Sequence, residues 1–488
     1  MRMIPVLPVQ TYTTLPERFY VHPPLSPVVA PQIVQLNTAL AGELGLDCHW
    51  LRSREGVAML SGNAMPEGVI PVAQVYAGHQ FGQFVPKLGD GRAMLLGSVT
   101  DQNGHVKEIQ LKGAGRTRFS RSGDGRAALG PVLREYIVSE AMAALGVPTT
   151  RALAAVTTGQ PVYRETPLPG AVLTRVASGF IRVGTFQFFA AQEDFEGLRL
   201  LTDYALTHHY PEASHEGGAA CALLREVIAS QCQLLAQWML YGFVHGVMNT
   251  DNMAISGETI DYGPCAFMEH YDPDTVFSFI DKRGRYAYGR QPEIGLWNLT
   301  RLAEALLPVI SEDRNTALEL ARAELAVFEG QFQQIYLAGL RQKLGMQTAQ
   351  EGDAGLVRSL FEVMQAQRLD YTATFRNLST EAALSTPTAY LPEALHPWAA
   401  QWQARLAAEP LPGTIQRAQA MQRVNPLYIP RNHLVEEMIT QAVSHNDMTA
   451  FEELLAVTSR PFEEQPGKER YARPAEAHEQ VQNTFCGT

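Results

Sequence analysis

Residues 243–263 read FVHGVMNTDNMAISGETIDYG and hold the groups with the plainest chemical use in the chain. Asp251, Asn252 and Asp261 offer carboxylate and amide oxygens, hard donors that suit a divalent cation keeping several waters, such as Mg2+. Such a pairing, in a loop that follows a long apolar stretch, points to phosphate chemistry. There a metal and fixed cations neutralise charge, and the protein forms few bonds itself. The competing reading is ordinary turn chemistry: Asp-Tyr-Gly is a common turn sequence, and Asp251 could close an Asx turn.

Kinase-like phosphotransfer sites carry H-x-D-x-x-x-x-N and then D-F-G. On that template His245 takes the His, Asn252 the Asn and Asp261 the second Asp, but position 247, where the catalytic Asp belongs, is Val. Asp251 stands four residues further on and is the carboxylate available in its place. Beside a metal it would be a weak base but a good acceptor for orienting a hydroxyl.

Phosphate also needs a cradle. Two glycine- and arginine-rich stretches, LGDGRAMLLG (88–97) and LKGAGRTRFSRSGDGRAALG (111–130), place Arg92, Arg116, Arg118, Arg121 and Arg126 on apparent turns. Their N–H groups and guanidinium forks could line a polyphosphate, although neither stretch is G-x-G-x-x-G and no P-loop occurs; solvated turns are the alternative. Lys112 ends an apparent strand and Glu135 lies in the helix after it, the arrangement by which a lysine is fixed against phosphate, unless both are surface residues.

The elements that must position these groups are legible in outline. AMLLGSV and KEIQLKG, then RALAAVTT and GAVLTRVA, read as strands separated by glycine turns; GPVLREYIVSEAMAAL (130–145) reads as an amphipathic helix. PQIVQLNTALAGELGL (31–46) is expected to be helical. From about residue 197 the pattern is mostly helical, with Gly242 stopping a long apolar helix just before the 243–263 loop. A glycine-rich strand half followed by a helical half predicts an α+β, protein-kinase-like two-lobed fold. The expected divisions are an N-terminal extension packing on the core (1–65), a phosphate-binding lobe (66–195), a helical lobe with the catalytic and metal loops (196–460) and a mobile tail (461–488).

With 46% hydrophobic and 18% charged residues the 488-residue chain reads as globular, and its net charge of −11 gives no footprint for nucleic acid. Five scattered cysteines without a C-x-x-C pair exclude a zinc ribbon or disulfide framework and favour a reducing compartment. No signal or transit peptide is evident, and the apolar span 229–250 contains too many Gln, His and Asn residues for a membrane helix. A cytoplasmic monomer, with no nucleic-acid or membrane partner, is the expectation. His208, His209 and His215 lack metal-ligand spacing and are expected to be loop residues.

AGHQFGQFVPKLGDGR (77–92), QLKGAGRTRFSRSGDGRAALGPVLREYIVSEAM (110–142), VHGVMNTDNMAI (244–255) and DYGP with GRYAYGRQPEIGLWNL (261–299) together resemble the selenoprotein O family, also called the YdiU or protein adenylyltransferase family. The resemblance implies a kinase-like fold holding ATP inverted, so that AMP passes to Ser, Thr or Tyr hydroxyls of proteins and pyrophosphate leaves. It implies Asp251 as the base, Asn252 and Asp261 as ligands of Mg2+ or Mn2+, Lys112 as the nucleotide lysine and Glu135 as its ion-pair partner. Gly89, Gly91, Arg92, Asp124 and Gly125 match nucleotide-contacting positions, and Arg175 and Arg182 match arginines facing the phosphates. UMP transfer from UTP to protein Tyr or His is the alternative activity implied. An ordinary small-molecule kinase, which Val247 argues against, and a non-catalytic nucleotide-binding scaffold are the rivals. Cys486 holds the place of a selenocysteine found in eukaryotic members. The aligned partner position of some relatives is Phe277, so a Cys265–Cys486 link would need a different register.

Overall fold

A computed structural model describes residues 8–384, 388–410 and 413–485. Cys486, and with it the Cys265–Cys486 pairing, lies outside the described residues. The architecture is α+β. An antiparallel sheet runs in the order Gln32–Leu36, Arg151–Tyr163, Pro167–Ala177, Val106–Lys112, Ala93–Thr100, and the short strand Ala127–Ala128 pairs with Pro167–Ala177.

Strand alternation sorts the sheet into an apolar face and a chemical one. Ile109 and Leu111 point into a cluster with Met94, Leu96, Val172 and Val176, closed by Leu40, Leu51 and Leu60 of three short helices. Glu108, Gln110 and Lys112 are buried on the opposite face. In the paired strand Arg175 stands opposite Gln110, and its Nε donates to the Gln110 Oε1 at 2.8 Å.

The helix Leu129–Ala144 falls where its pattern predicts and packs against this sheet, with Glu135 buried along it. Residues 31–46 depart from expectation. Gln32–Leu36 is a strand, and only Thr38–Glu43 is helical, capped by the Asn37 Oδ1 accepting from the Leu40 N–H at 3.1 Å. Ile33 and Leu36 gain more by pairing with the distant strand Arg151–Tyr163 than by continuing a local helix.

The second half is helical. Ala219–Tyr241 buries Val227, Ile228, Leu234, Leu235 and Trp238 and stops at Gly242, whose φ of 70° is the left-handed C-cap the sequence suggests. It is long and apolar enough to cross a membrane, but most of it is buried inside the fold. Gln291–Ile310 packs beside it through Leu299, Leu302, Ala303 and Leu306. A two-stranded ladder, Phe243–Val244 with Ala266–Phe267, ties together the ends of the loop from His245 to Cys265.

Residues 461–485, expected to be mobile, are anchored. Tyr471 is buried with helices Asn432–His445 and Thr449–Thr458, its hydroxyl donating to Glu453 at 2.5 Å. The Thr484 hydroxyl donates to the Pro264 carbonyl at 2.6 Å. The anchoring groups are an aromatic ring and a hydroxyl, which a count of large aliphatics overlooks. His208 and His209 are not loop residues either: both lie in the last turn of helix Phe195–His209, where burial pushes the His209 pKa down to about 4.

Candidate active site

A cavity of about 660 Å3 opens between the chemical face of the sheet, the helix Leu129–Ala144 and the 245–265 loop. Its inner end is built of charge. The Lys112 Nζ donates to Glu135 at 2.6 Å and to the Asp261 Oδ1 at 2.8 Å. Arg175 reaches the same Asp261 oxygen at 2.7 Å and Glu135 at 3.2 Å. Arg182 donates to the Asp261 Oδ2 at 2.6 Å and to the Asp251 carbonyl at 2.6 Å. Burial works to raise the pKa of Asp261, but Lys112, Arg175 and Arg182 outweigh it and hold the group well below the usual carboxylate range. Asp261 has a φ of 61°, so the turn chemistry of Asp-Tyr-Gly and the charged role coincide in one residue.

The loop that carries Asp251 is pinned on all sides. His245 is wholly buried, stacks on Trp238 and joins the Ile260 carbonyl through its Nε2 at 2.8 Å, so it braces the Asp261 segment. Thr250 donates to Gln187 and accepts from the His79 N–H, while Asn249 accepts from the Phe81 N–H and the Tyr286 hydroxyl. The bonds from His79 and Phe81 come from a hairpin, Gly78–Gln80 with Gln83–Val85, folded over the loop. The Gln80 side chain donates to the Asp251 Oδ2 at 3.2 Å, and the Asp251 Oδ1 is buried with no hydrogen-bond partner. Burial pushes the pKa of Asp251 up to about 6, against the Gln80 hydrogen bond and the charge of Arg182. Val247 lines the cavity where the kinase template would put an acid.

Asn252 donates through its Nδ2 to the Val247 carbonyl at 3.0 Å, which leaves its Oδ1 as the oxygen available to a cation. Among the described residues no three His, Cys, Asp or Glu side chains converge into a metal cage. The donors that would hold a metal ion, the Asn252 amide oxygen and the Asp261 carboxylate, are hard oxygens that fit a cation drawing its other ligands from water and phosphate.

The cavity brings together Gly91, Arg92, Lys112, Asp124, Gly125, Glu135, Arg175, Arg182, Asp251, Asn252 and Asp261. Gly89 is not among its lining residues: its φ is 78°, and a Cβ there would meet the Phe119 ring at 2.4 Å, so it makes room for the wall behind. Gly125 is required for the loop to pass Gly115, whose carbonyl would lie 2.2 Å from a Cβ. Asp124 is clasped by Arg164 at 2.9 and 3.2 Å on the rim. Of the other arginines on the glycine turns, Arg126 lines the cavity while bonded to the Ala114 and Ser26 carbonyls; Arg116, Arg118 and Arg121 are exposed, as solvated turns would be.

Two participants escaped sequence reading. Asp90 is buried in the cavity wall, its Oδ2 accepting from the Gln74 N–H at 3.0 Å and its Oδ1 unpartnered, with Arg182 3.7 Å away. An Asp between glycines, as in LGDGR, reads as a turn and gives no sign of burial. Gln80 was also missed, because an amide carries no charge signature.

The family model described as Protein adenylyltransferase SelO matches residues 8–459. The chain is 57% identical over 484 residues to Protein nucleotidyltransferase YdiU of Rhizobium meliloti (strain 1021), covering 98% of each. It is 56% identical over 483 residues to the protein of that name from Rhodopseudomonas palustris (strain BisB18), and 55% over 483 to that of Bradyrhizobium sp. (strain ORS 278), again covering 98% of each chain. With a cavity lined by buried cations and near-full-length similarity to nucleotidyltransferases, the chain is an enzyme of that class and belongs to the protein adenylyltransferase SelO family.

Proposed function

We propose that this enzyme has a kinase-like two-lobed fold and moves AMP from ATP to Ser, Thr or Tyr hydroxyls of proteins, with release of pyrophosphate. The observation that carries this reading is the convergence of Lys112, Arg175 and Arg182 on the two oxygens of Asp261 at the buried end of the cavity. Lys112 and Arg175 share Glu135 as well, and a polyphosphate entering beside the three cations would gain charge-assisted hydrogen bonds from them. With the β- and γ-phosphates taken inward, the α-phosphorus faces Asp251.

The acceptor hydroxyl attacks the α-phosphorus as the bond from that phosphorus to the bridging oxygen breaks. Asp251 orients the hydroxyl through its unpartnered Oδ1 and takes its proton, for which a carboxylate raised to about 6 is better suited than an ordinary one. Lys112, Arg175 and Arg182 receive the pyrophosphate. Mg2+ or Mn2+, held by Asn252 and Asp261, would neutralise phosphate charge as that group departs. Gly91, Arg92 and the Asp124–Gly125 turn flank the nucleotide from the rim. The cations address phosphate and not base, so UTP remains an alternative donor. The thiols of Cys48, Cys221 and Cys232 accord with a reducing, cytoplasmic setting.

The test is intact-protein mass spectrometry of the enzyme and a protein acceptor after incubation with ATP or UTP and Mg2+, with Asp261→Ala as control. A gain of roughly 329 Da from ATP, lost in the variant, supports AMP transfer; a gain of roughly 80 Da would instead make this a kinase.

A further inference from the structure

The segment from Phe277 to Arg285 is joined through Thr484 to Pro264 of the cavity wall and presents a surface that nucleotide transfer leaves unused. Phe279, Ile280 and Phe485 are 44%, 64% and 61% exposed, and the Phe279 and Phe485 rings lie 5.0 Å apart. Lys282 sits over the Phe279 ring at 3.7 Å, and Arg283 follows it into solvent. Between residues 275 and 290 there are four cations, Lys282, Arg283, Arg285 and Arg290, and one acid. That acid, Asp281, is buried and consumed by the N–H groups of Arg285 and Tyr286. Among the described residues none of the four cations has a carboxylate within ion-pair distance, in a protein whose net charge is −11.

Arg285 connects this surface to the chemistry. Its guanidinium lies 4.7 Å from the Trp297 ring, its buried Nε has no hydrogen-bond partner, and it packs against Gly82 at the tip of the hairpin that holds Asp251 through Gln80. On the other side the Thr484 bond to Pro264 fixes the patch to a residue of the cavity wall.

We propose that this surface docks the protein acceptor. Phe279, Ile280 and Phe485 take an apolar side chain, and Lys282, Arg283 and Arg285 take the acidic residues flanking it. The occupant is argued from charge: unpaired cations around exposed aromatic rings complement an acidic, apolar segment and repel a basic one. The proposal rests on the protein-directed reading above and supplies what that reading lacks, a rule for which proteins are modified.

The test is fluorescence anisotropy with labelled peptides that contain one Tyr and a Glu-Leu-Glu, Lys-Leu-Lys or Glu-Ser-Glu triplet, titrated with the full chain in the absence of nucleotide. Glu-Leu-Glu should bind roughly tenfold more tightly than either of the others. The double variant Lys282→Glu, Arg283→Glu should reverse the charge preference, and Ile280→Ser should weaken Glu-Leu-Glu alone. Equal affinity for the acidic and basic peptides, or a double variant within about twofold of the parent on both, overturns the proposal. So does a concentration-dependent dimer abolished by Ile280→Ser, which would make a second copy the occupant. Because no nucleotide is present, failure here leaves AMP transfer standing. Absence of pyrophosphate release with every acceptor would sink AMP transfer without touching the peptide result.

Discussion

A Cβ at Gly78 would stand 2.6 Å from the Asp251 Oδ1, so the hairpin closes over the carboxylate only because residue 78 has no side chain. Replacing Gly78 by Ala should displace Asp251 and leave Lys112, Arg175 and Arg182 in place. We expect the transfer rate to fall about 100-fold, the usual effect of an ångström-scale misplacement, with nucleotide affinity within about threefold. Parallel measurement of turnover and nucleotide binding checks this; equal losses in both would mean that the hairpin holds the nucleotide instead.

Asp261→Asn removes the one carboxylate that all three buried cations share. Loss of one partner from a buried ion-pair network costs about 3–5 kcal/mol, so the variant should melt well below the parent. Millimolar tripolyphosphate should then raise the Tm of the variant more than that of the parent, because the anion replaces the missing charge. Equal shifts in thermal melts would show that these cations do not form an anion site.

Much of this centre could be read from the sequence because its residues announce themselves by type. Lys112 and Glu135 sit on elements whose patterns are unambiguous, and Asp251, Asn252 and Asp261 lie in one loop. What was hidden depends on distant partners. Gln32–Leu36 is a strand only because Arg151–Tyr163 pairs with it, Asp90 is buried only because Gln74 and Gln110 surround it, and the tail is fixed by Thr484 reaching Pro264. Local propensity carries no record of such contacts. Arg175 and Arg182, in unremarkable strand and turn contexts, were found through family resemblance and not through any pattern of their own.

Glu108 makes stability depend on pH. Burial raises its pKa from 4.5 to about 8, aided by the nearby charges of Glu258 and Asp90. Between those values the folded protein keeps a proton that the unfolded chain has lost, so this group's contribution to stability falls as pH rises from about 4.5 to about 8. Glu108→Gln, whose amide oxygen can still accept from the Phe180 N–H, should flatten that dependence and melt higher than the parent at pH 8. Melts across this range that run parallel for the two proteins would refute the assignment.

Thr484→Val keeps the shape of the tail but removes its hydroxyl donor to Pro264. The expected cost is about 1 kcal/mol, with faster amide hydrogen exchange confined to residues 264–285. Exchange unchanged in that segment would mean that the backbone bonds between Thr484, Phe277 and Phe279 suffice.

The bond from Thr484 to Pro264 also sets a timetable. Lys112 and Glu135 leave the ribosome hundreds of residues before the residue that fastens the rim of the cavity, and Asp251 and Asp261 emerge in between. A chain still being translated therefore holds Lys112, Glu135, Asp251 and Asp261 well before the residue that fastens the rim around them.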